Sequence, residues 1–168
     1  MVIVEDSRQQ KNKHEHKAKY FESQGIKVLR SKLPYGDYMS NPSDGTTVDT
    51  KMDIYELAKD IDQDHVRFRN ELIGARDYGY KLIILTENTN GVSTIQDLGG
   101  WDEPIEHFEM RKIRSKNPKT RRISGVRLAR ACMTMQERYG ATFMFCSPQE
   151  CGQRIVELLG GKNDIYTV

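Results

Sequence analysis

The chain has 168 residues, 37% of them hydrophobic and 30% charged, with a formal net charge of only +2. That length suits one well-buried core and is short for two, and no apolar run approaches the ~18 residues that would cross a bilayer. A total charge this close to zero does not by itself call for a nucleic-acid partner. The opening MVIVEDSRQQ lacks the basic start and small-residue cleavage site of a secretory signal. Three cysteines, Cys132, Cys146 and Cys151, contain no CxxC pair, so the expectation is a cytoplasmic protein with reduced thiols, Cys146 among them in the core.

In chain order, VIVE (Val2 to Glu5) reads as a short strand. KHEHKAKYFESQG reads as a helix that turns Ala18, Tyr20 and Phe21 to a core and stops at Gly25. IKVLRSKL alternates as a second strand, and Pro34-Tyr35-Gly36 turns the chain. DYM and TTVDTK form a hairpin around SNPSDG, whose residues are all turn formers. Asp53 caps the next helix, with Glu56 at the capping-box position, and a break near DQDH precedes VRFRNELIGARDYG. KLIILTE is the uninterrupted apolar run of a buried strand. NTNGVSTIQDLGGWDEP reads as loop, with Trp101 packing it onto the core. SGVRLARACMTMQERYG is a helix capped by Ser124 and ended by Gly140, with Met133, Met135 and Met144 counted as core. ATFMFC is the last strand and SPQECGQRIVELLGG the last helix, with Ser147 as its cap and Pro148 at its first position. Alternating strands and helices give an α/β domain.

One stretch, LPYGDYMSNPSDGTTVDTK, carries chemistry. Metal-assisted phosphodiester hydrolysis needs carboxylates for Mg²⁺ or Mn²⁺ and a cationic side chain to orient water or stabilise growing charge. On a strand, residues i and i+2 share a face. Asp49 and Lys51 therefore point one way, Thr50 points the other, and Asp37 in the opposite arm lies across from the pair. Taken alone, the triplet is a weak signal, since Asp-x-Lys arises often by chance, and it reads as an exposed hairpin with a surface ion pair.

The order VEDSR, LPYGDY, VDTK, VRFRNEL, KLIILTEN resembles the nuclease domain of the XPF/MUS family of structure-selective DNA endonucleases, within the PD-(D/E)xK superfamily. The matching residues are Asp6 and Arg8, Gly36-Asp37-Tyr38, Asp49-Thr50-Lys51, Arg67 and the strand through Glu87, over about half of the chain. The resemblance implies a restriction-endonuclease-like core, a mixed central β-sheet flanked by helices. It makes 1–168 a single nuclease domain, 1–90 carrying the motif and 91–168 completing it. It further implies Asp37, Asp49 and Lys51 as catalytic residues, with Asp6, Asp37 and Asp49 around Mg²⁺, for which Mn²⁺ would substitute. Arg8, Arg67 and Glu71 become accessory residues. The implied partner is DNA, branched, flapped or nicked, and the implied assembly a homodimer, with no membrane and no organic cofactor. The other function considered is a non-catalytic DNA-binding or scaffolding partner of the same fold.

Several positions depart from the family. Gln9 stands where a Glu is usual, Asp49 shortens the usual Glu, and Glu71 stands where a Gln is frequent. Thr50 replaces the usual middle Arg and, facing away from the metal, is expected to matter less. Tyr55 occupies the register of a further acid, leaving Asp53 and Glu56 to helix capping. From Met110 to Arg130 the chain has nine Lys or Arg and no acid. Lys112, Arg114, Lys119, Arg121 and Arg122 are the expected phosphate contacts. His14 and His16, two residues apart, do not share a helix face and are expected to be solvated.

Overall fold

The structure, a computed structural model, describes residues 1–10, 14–40, 44–115 and 119–160. Six strands form one sheet: β1 (Val2–Asp6), β2 (Lys27–Ser31), β3 (Tyr38–Met39), β4 (Thr46–Lys51), β5 (Lys81–Glu87) and β6 (Thr142–Cys146). Six α-helices flank it among the described residues: α1 (Glu15–Ser23), α2 (Ile54–Asp62), α3 (His65–Asp77), α4 (Ile105–Ser115), α5 (Gly125–Tyr139) and α6 (Cys151–Leu158). The strand order is β2-β1-β3-β4-β5-β6. β1 runs parallel to β2 and antiparallel to β3, β3 is antiparallel to β4, and β4, β5 and β6 are mutually parallel. The α/β fold with a mixed, helix-flanked sheet is as expected from the sequence.

The period of two along β5 sorts the core. Leu82 and Ile84 join Phe68, Leu72, Leu128 and Phe143 on the α2–α3–α5 side. Ile83 and Leu85 join Ile3, Phe21, Tyr38 and Ile155 on the α1–α6 side. β4 lies between the two layers, with all six of its residues buried. That strand carries Asp49, Thr50 and Lys51.

The local signals largely set the boundaries. The Asp53 side chain accepts from Glu56 N–H at 2.7 Å, while Glu56 reaches back to Met52 N–H rather than to the cap itself. Ser124 caps α5 and Gly140 follows it at φ 71°. α6 begins at Cys151, later than Pro148, because Ser147 and Glu150 first close a turn of their own at 2.7 Å. Trp101 is buried in the α2–α3–α5 core, and Cys132, Cys146 and Cys151 are free and buried. Three expectations are corrected. In α1 the buried positions are Lys17 and Phe21, four apart, and Ala18 is exposed. Met133 is 45% exposed rather than core. Residues 105–115 form a helix, α4, where none was expected. Of the SNPSDG turn, residues 41–43 lie outside the described residues. Among the described residues, no helix is long and apolar enough to cross a membrane.

Candidate active site

Backbone geometry delivers Asp37. Gly36 has φ 68°, in the left-handed region that favours glycine. A Cβ there would come within 2.4 Å of Thr47 Oγ1 and 3.1 Å of Val48 O, so no larger residue fits the bend. Past it, Asp37 N–H donates to Val48 O and Asp37 O accepts from Asp6 N–H, each at 2.8 Å. The residue is thereby pinned between β4 and the end of β1.

Its side chain is pinned as well. Asp37 Oδ2 accepts from Thr50 N–H and from Thr50 Oγ1, both at 2.8 Å. Behind Thr50, Lys17 Nζ donates to Thr50 Oγ1 at 3.1 Å and pairs with Glu87 Oε1 at 2.9 Å. His16 is exposed, as expected, and its Nε2 lies 2.9 Å from Glu87 Oε2. Thr50 therefore does face away from Asp49 and Lys51, but it is the residue that orients Asp37.

On the opposite face of β4, Lys51 Nζ sits 2.7 Å from Asp49 Oδ2 and 2.8 Å from Asp60 Oδ2, above the Phe68 ring. Arg67 reaches Asp60 Oδ1 at 2.7 Å and Glu71 Oε2 at 3.6 Å. Burial works against the Lys51 ammonium, but Asp49 and Asp60 outweigh it and raise its pKa above the ordinary value. Burial pushes the Asp49 carboxyl up against the pull of Lys51, with Asp37 and Glu71 adding to the rise. Glu71 is likewise raised, by burial first.

A single pocket of about 400 Å³ takes in Asp6, Arg8, His14, Asp37, Asp49 and Lys51, together with Asp60, Arg67 and Glu71. All seven sequence-derived catalytic, metal and accessory residues thus meet in one place. They do not meet as equals. Both Asp6 oxygens are taken by Arg8, whose Nε lies at 2.9 and 3.0 Å and whose backbone N–H lies at 2.8 Å. Burial raises the Asp6 pKa, and the Arg8 hydrogen bonds more than reverse that. His14 is half-buried in this pocket, and burial, then Lys17, takes its imidazole down to about 4.

Among the described residues, no three His, Cys, Asp or Glu side chains are arranged as a ready-made metal cage. Mg²⁺ asks for less, since it keeps several waters and needs only one or two carboxylates. Asp37 Oδ1 makes no hydrogen bond among the described residues, and Asp49 lies in the same pocket. Asp37, Asp49, Asp60 and Glu71 face only Lys51 and Arg67 there, once the Asp6–Arg8 pair is set aside. An all-oxygen donor set with surplus negative charge fits a hard divalent cation.

Sequence reasoning missed Asp60 and Lys17, and named Glu87 only as the carboxylate that ends its strand. Asp60 lies four residues after Glu56 on the same helix stripe, the spacing that turns both to one side. Lys17 is four residues before Phe21 in α1, and Glu87 two residues after Leu85 in β5. Both positions were legible as core-facing, but their pairing across the fold was not.

The expected phosphate contacts divide. Arg114, Lys119 and Arg121 line a separate cavity of about 1010 Å³ with Lys59, Arg111 and Arg127. Lys112 instead lies over the Phe108 ring, and Arg122 Nε donates to Glu103 O. Arg111, which the sequence did not single out, chelates buried Glu103 through two bonds at 2.8 and 2.7 Å.

Two solved structures resemble this chain. One is XPF from Aeropyrum pernix, with a TM-score of 0.62 and 18% identity over 95% of this chain. The fold is XPF-like. The other is XPF from Aeropyrum pernix in complex with DNA, with a TM-score of 0.59 and 20% identity over 94% of this chain. The XPF-like fold here spans about 63% and 62% of the length of those two chains. No protein-family model and no curated protein matches this sequence.

Proposed function

We propose that the chain is a divalent-metal-dependent DNA endonuclease that acts on branched, flapped or nicked DNA. The observation that carries this reading is the convergence of Asp37, Asp49 and Lys51 in one pocket, with Asp37 held by Thr50 so that Oδ1 stays available. Asp37 and Asp49 would hold Mg²⁺ or Mn²⁺, which supplies Lewis acidity and an acidified water. Lys51 pairs with Asp49 and Asp60 and would present its ammonium to the attacking water or a phosphate oxygen. Asp60 and Arg67 hold that ammonium in place, and Arg8, 60% exposed beyond Asp6, offers guanidinium charge to a backbone phosphate. The XPF-like fold, shared with a protein solved in complex with DNA, supports DNA as the polymer.

The test is cleavage of junction, flap, nicked, single-stranded and duplex DNAs with Mg²⁺ or Mn²⁺. Activity should vanish in EDTA and in Asp37→Ala, and Lys51→Ala should lose at least ~10²-fold while melts confirm that it is folded. No cleavage by wild type on any of these substrates with either metal would sink the proposal.

The absence of a three-ligand cage among the described residues favours one alternative, a non-catalytic DNA-binding partner. Mg²⁺ decides between them: an active site should give a metal-dependent rise in Tm that Asp37→Ala removes, and a scaffold should give none.

A further inference from the structure

The cavity of about 1010 Å³ lies beside the acid pocket and shares a wall with it. Tyr55, Lys59 and Asp62 of α2 face the cavity, whereas Glu56 and Asp60 of the same helix face the acids. The two stripes are about 100° apart on a helix with 3.6 residues per turn. One helix, roughly 10 Å across, therefore separates the two sites.

The cavity has the opposite character to its neighbour. Six cationic side chains line it against one carboxylate, Asp62. Asp62 draws on Arg111 at 3.8 Å and Arg127 at 3.6 Å, and Arg111 is further committed to Glu103. Lys59, Arg114 and Arg121 enter no ion pair among the described residues and are exposed. The cavity also carries a ring pair: Tyr55 and His107 meet edge to face with centroids 4.8 Å apart. His107 Nδ1 is buried and makes no hydrogen bond among the described residues.

Shape chooses between possible occupants. The volume lies at the upper end of the ~300–1,000 Å³ typical of pockets that swallow a small molecule. A duplex, with a major groove alone ~12 Å wide, lies across a surface and does not enter such a space. An unpaired strand does, and it is recognised by cationic groups along its backbone and aromatic rings against its bases. We propose that this cavity holds an unpaired DNA strand, with phosphates on Lys59, Arg114 and Arg121 and a base against Tyr55 and His107. The choice of DNA rests on the nuclease reading; the single-strand character rests on the cavity. The arrangement would seat the unpaired arm of a flap one helix away from the acids.

The test is fluorescence anisotropy of the full chain in EDTA, with a labelled 12-nucleotide single strand and a blunt duplex of the same length. Wild type should prefer the single strand. Lys59→Ala combined with Arg114→Ala should weaken single-strand binding about 10-fold or more. It should also flatten the slope of log K against log salt by about 1.4, at ~0.7 per lost phosphate contact. Tyr55→Leu, with a melt to confirm folding, should weaken single-strand binding by at least ~5-fold and leave that slope unchanged. An unchanged affinity in the double variant, or a duplex that binds as tightly as the single strand, would overturn the assignment. The nuclease reading fails separately, by loss of metal-dependent cleavage while the single strand still binds through this cavity.

Discussion

Thr50 Oγ1 has one proton to give. It accepts from the Lys17 ammonium, which has donors only, and so its own proton must go to Asp37 Oδ2. The lysine thus fixes the sense of the bond as well as the place of the carboxylate. Thr50→Val keeps the shape and the backbone donor but removes the hydroxyl. A hydrogen bond to a charged group is worth ~1.5–3 kcal/mol, so cleavage should fall about 10- to 100-fold, with DNA affinity in EDTA little changed. Thr50→Ser should recover most of the rate; equal losses in Ser and Val would show that packing, not the proton, is what matters. Lys17 itself shows where sequence reading stops. Its four-residue spacing from Phe21 put it on the core face, but a lysine is almost never fully buried unless paired. The pair, Glu87, lies 70 positions away by number and becomes its neighbour only when α1 packs on the sheet.

At the scale of elements, α4 is the instructive case. None of its residues is buried, and Ile105 and Ile113 are 65% and 75% exposed. Its apolar spacing therefore points at nothing that a sequence could reveal. Glu103 holds the region instead. It receives Arg111 of α4 and Ile123 N–H just ahead of α5, at 3.0 Å. Burial pushes the Glu103 carboxyl up, but Arg111 and the Ile123 N–H outweigh it and hold it below the ordinary 4.5. A carboxylate depressed in the folded state stabilises fully above its unfolded pKa and loses that contribution as pH falls through its folded pKa. Glu103→Gln should therefore lose about 3 kcal/mol at neutral pH by removing the buried carboxylate that Arg111 chelates. The gap in Tm between wild type and variant should close as pH drops below 4.5 and persist at higher pH. A gap that is flat with pH would remove the ionic clasp from the account. By contrast β4, β5, α5 and β6 were legible because their patterns of buried residues and caps are local. The hairpin and its acids were legible for the same reason.

For the molecule as a whole, the two halves of the candidate site are built on foundations of different strength. β4 is buried over all six of its residues and is paired on both sides, to β3 and β5. Both hydrophobic layers close on it, Val48 toward α1 and α6, and Lys51 over Phe68 toward α2 and α3. The cationic cavity leans instead on α4, which is attached through Glu103 and buries none of its residues. Stability in such a structure is graded, with core strands opening at the global free energy and lightly packed helices opening below it. Native-state hydrogen exchange should therefore find Val48 to Lys51 among the slowest amides and α4 among the faster helical ones. Glu103→Gln should accelerate α4 by a further ~10²-fold, the kinetic equivalent of about 3 kcal/mol. It should change β4 only as far as global stability changes. If β4 and α4 exchange at the same rate in wild type, the acids and the cations open as one unit, and the division into a rigid acid pocket and a yielding cationic wall is lost. If they separate, the acids stay set while the wall beside them adjusts to the strand it receives.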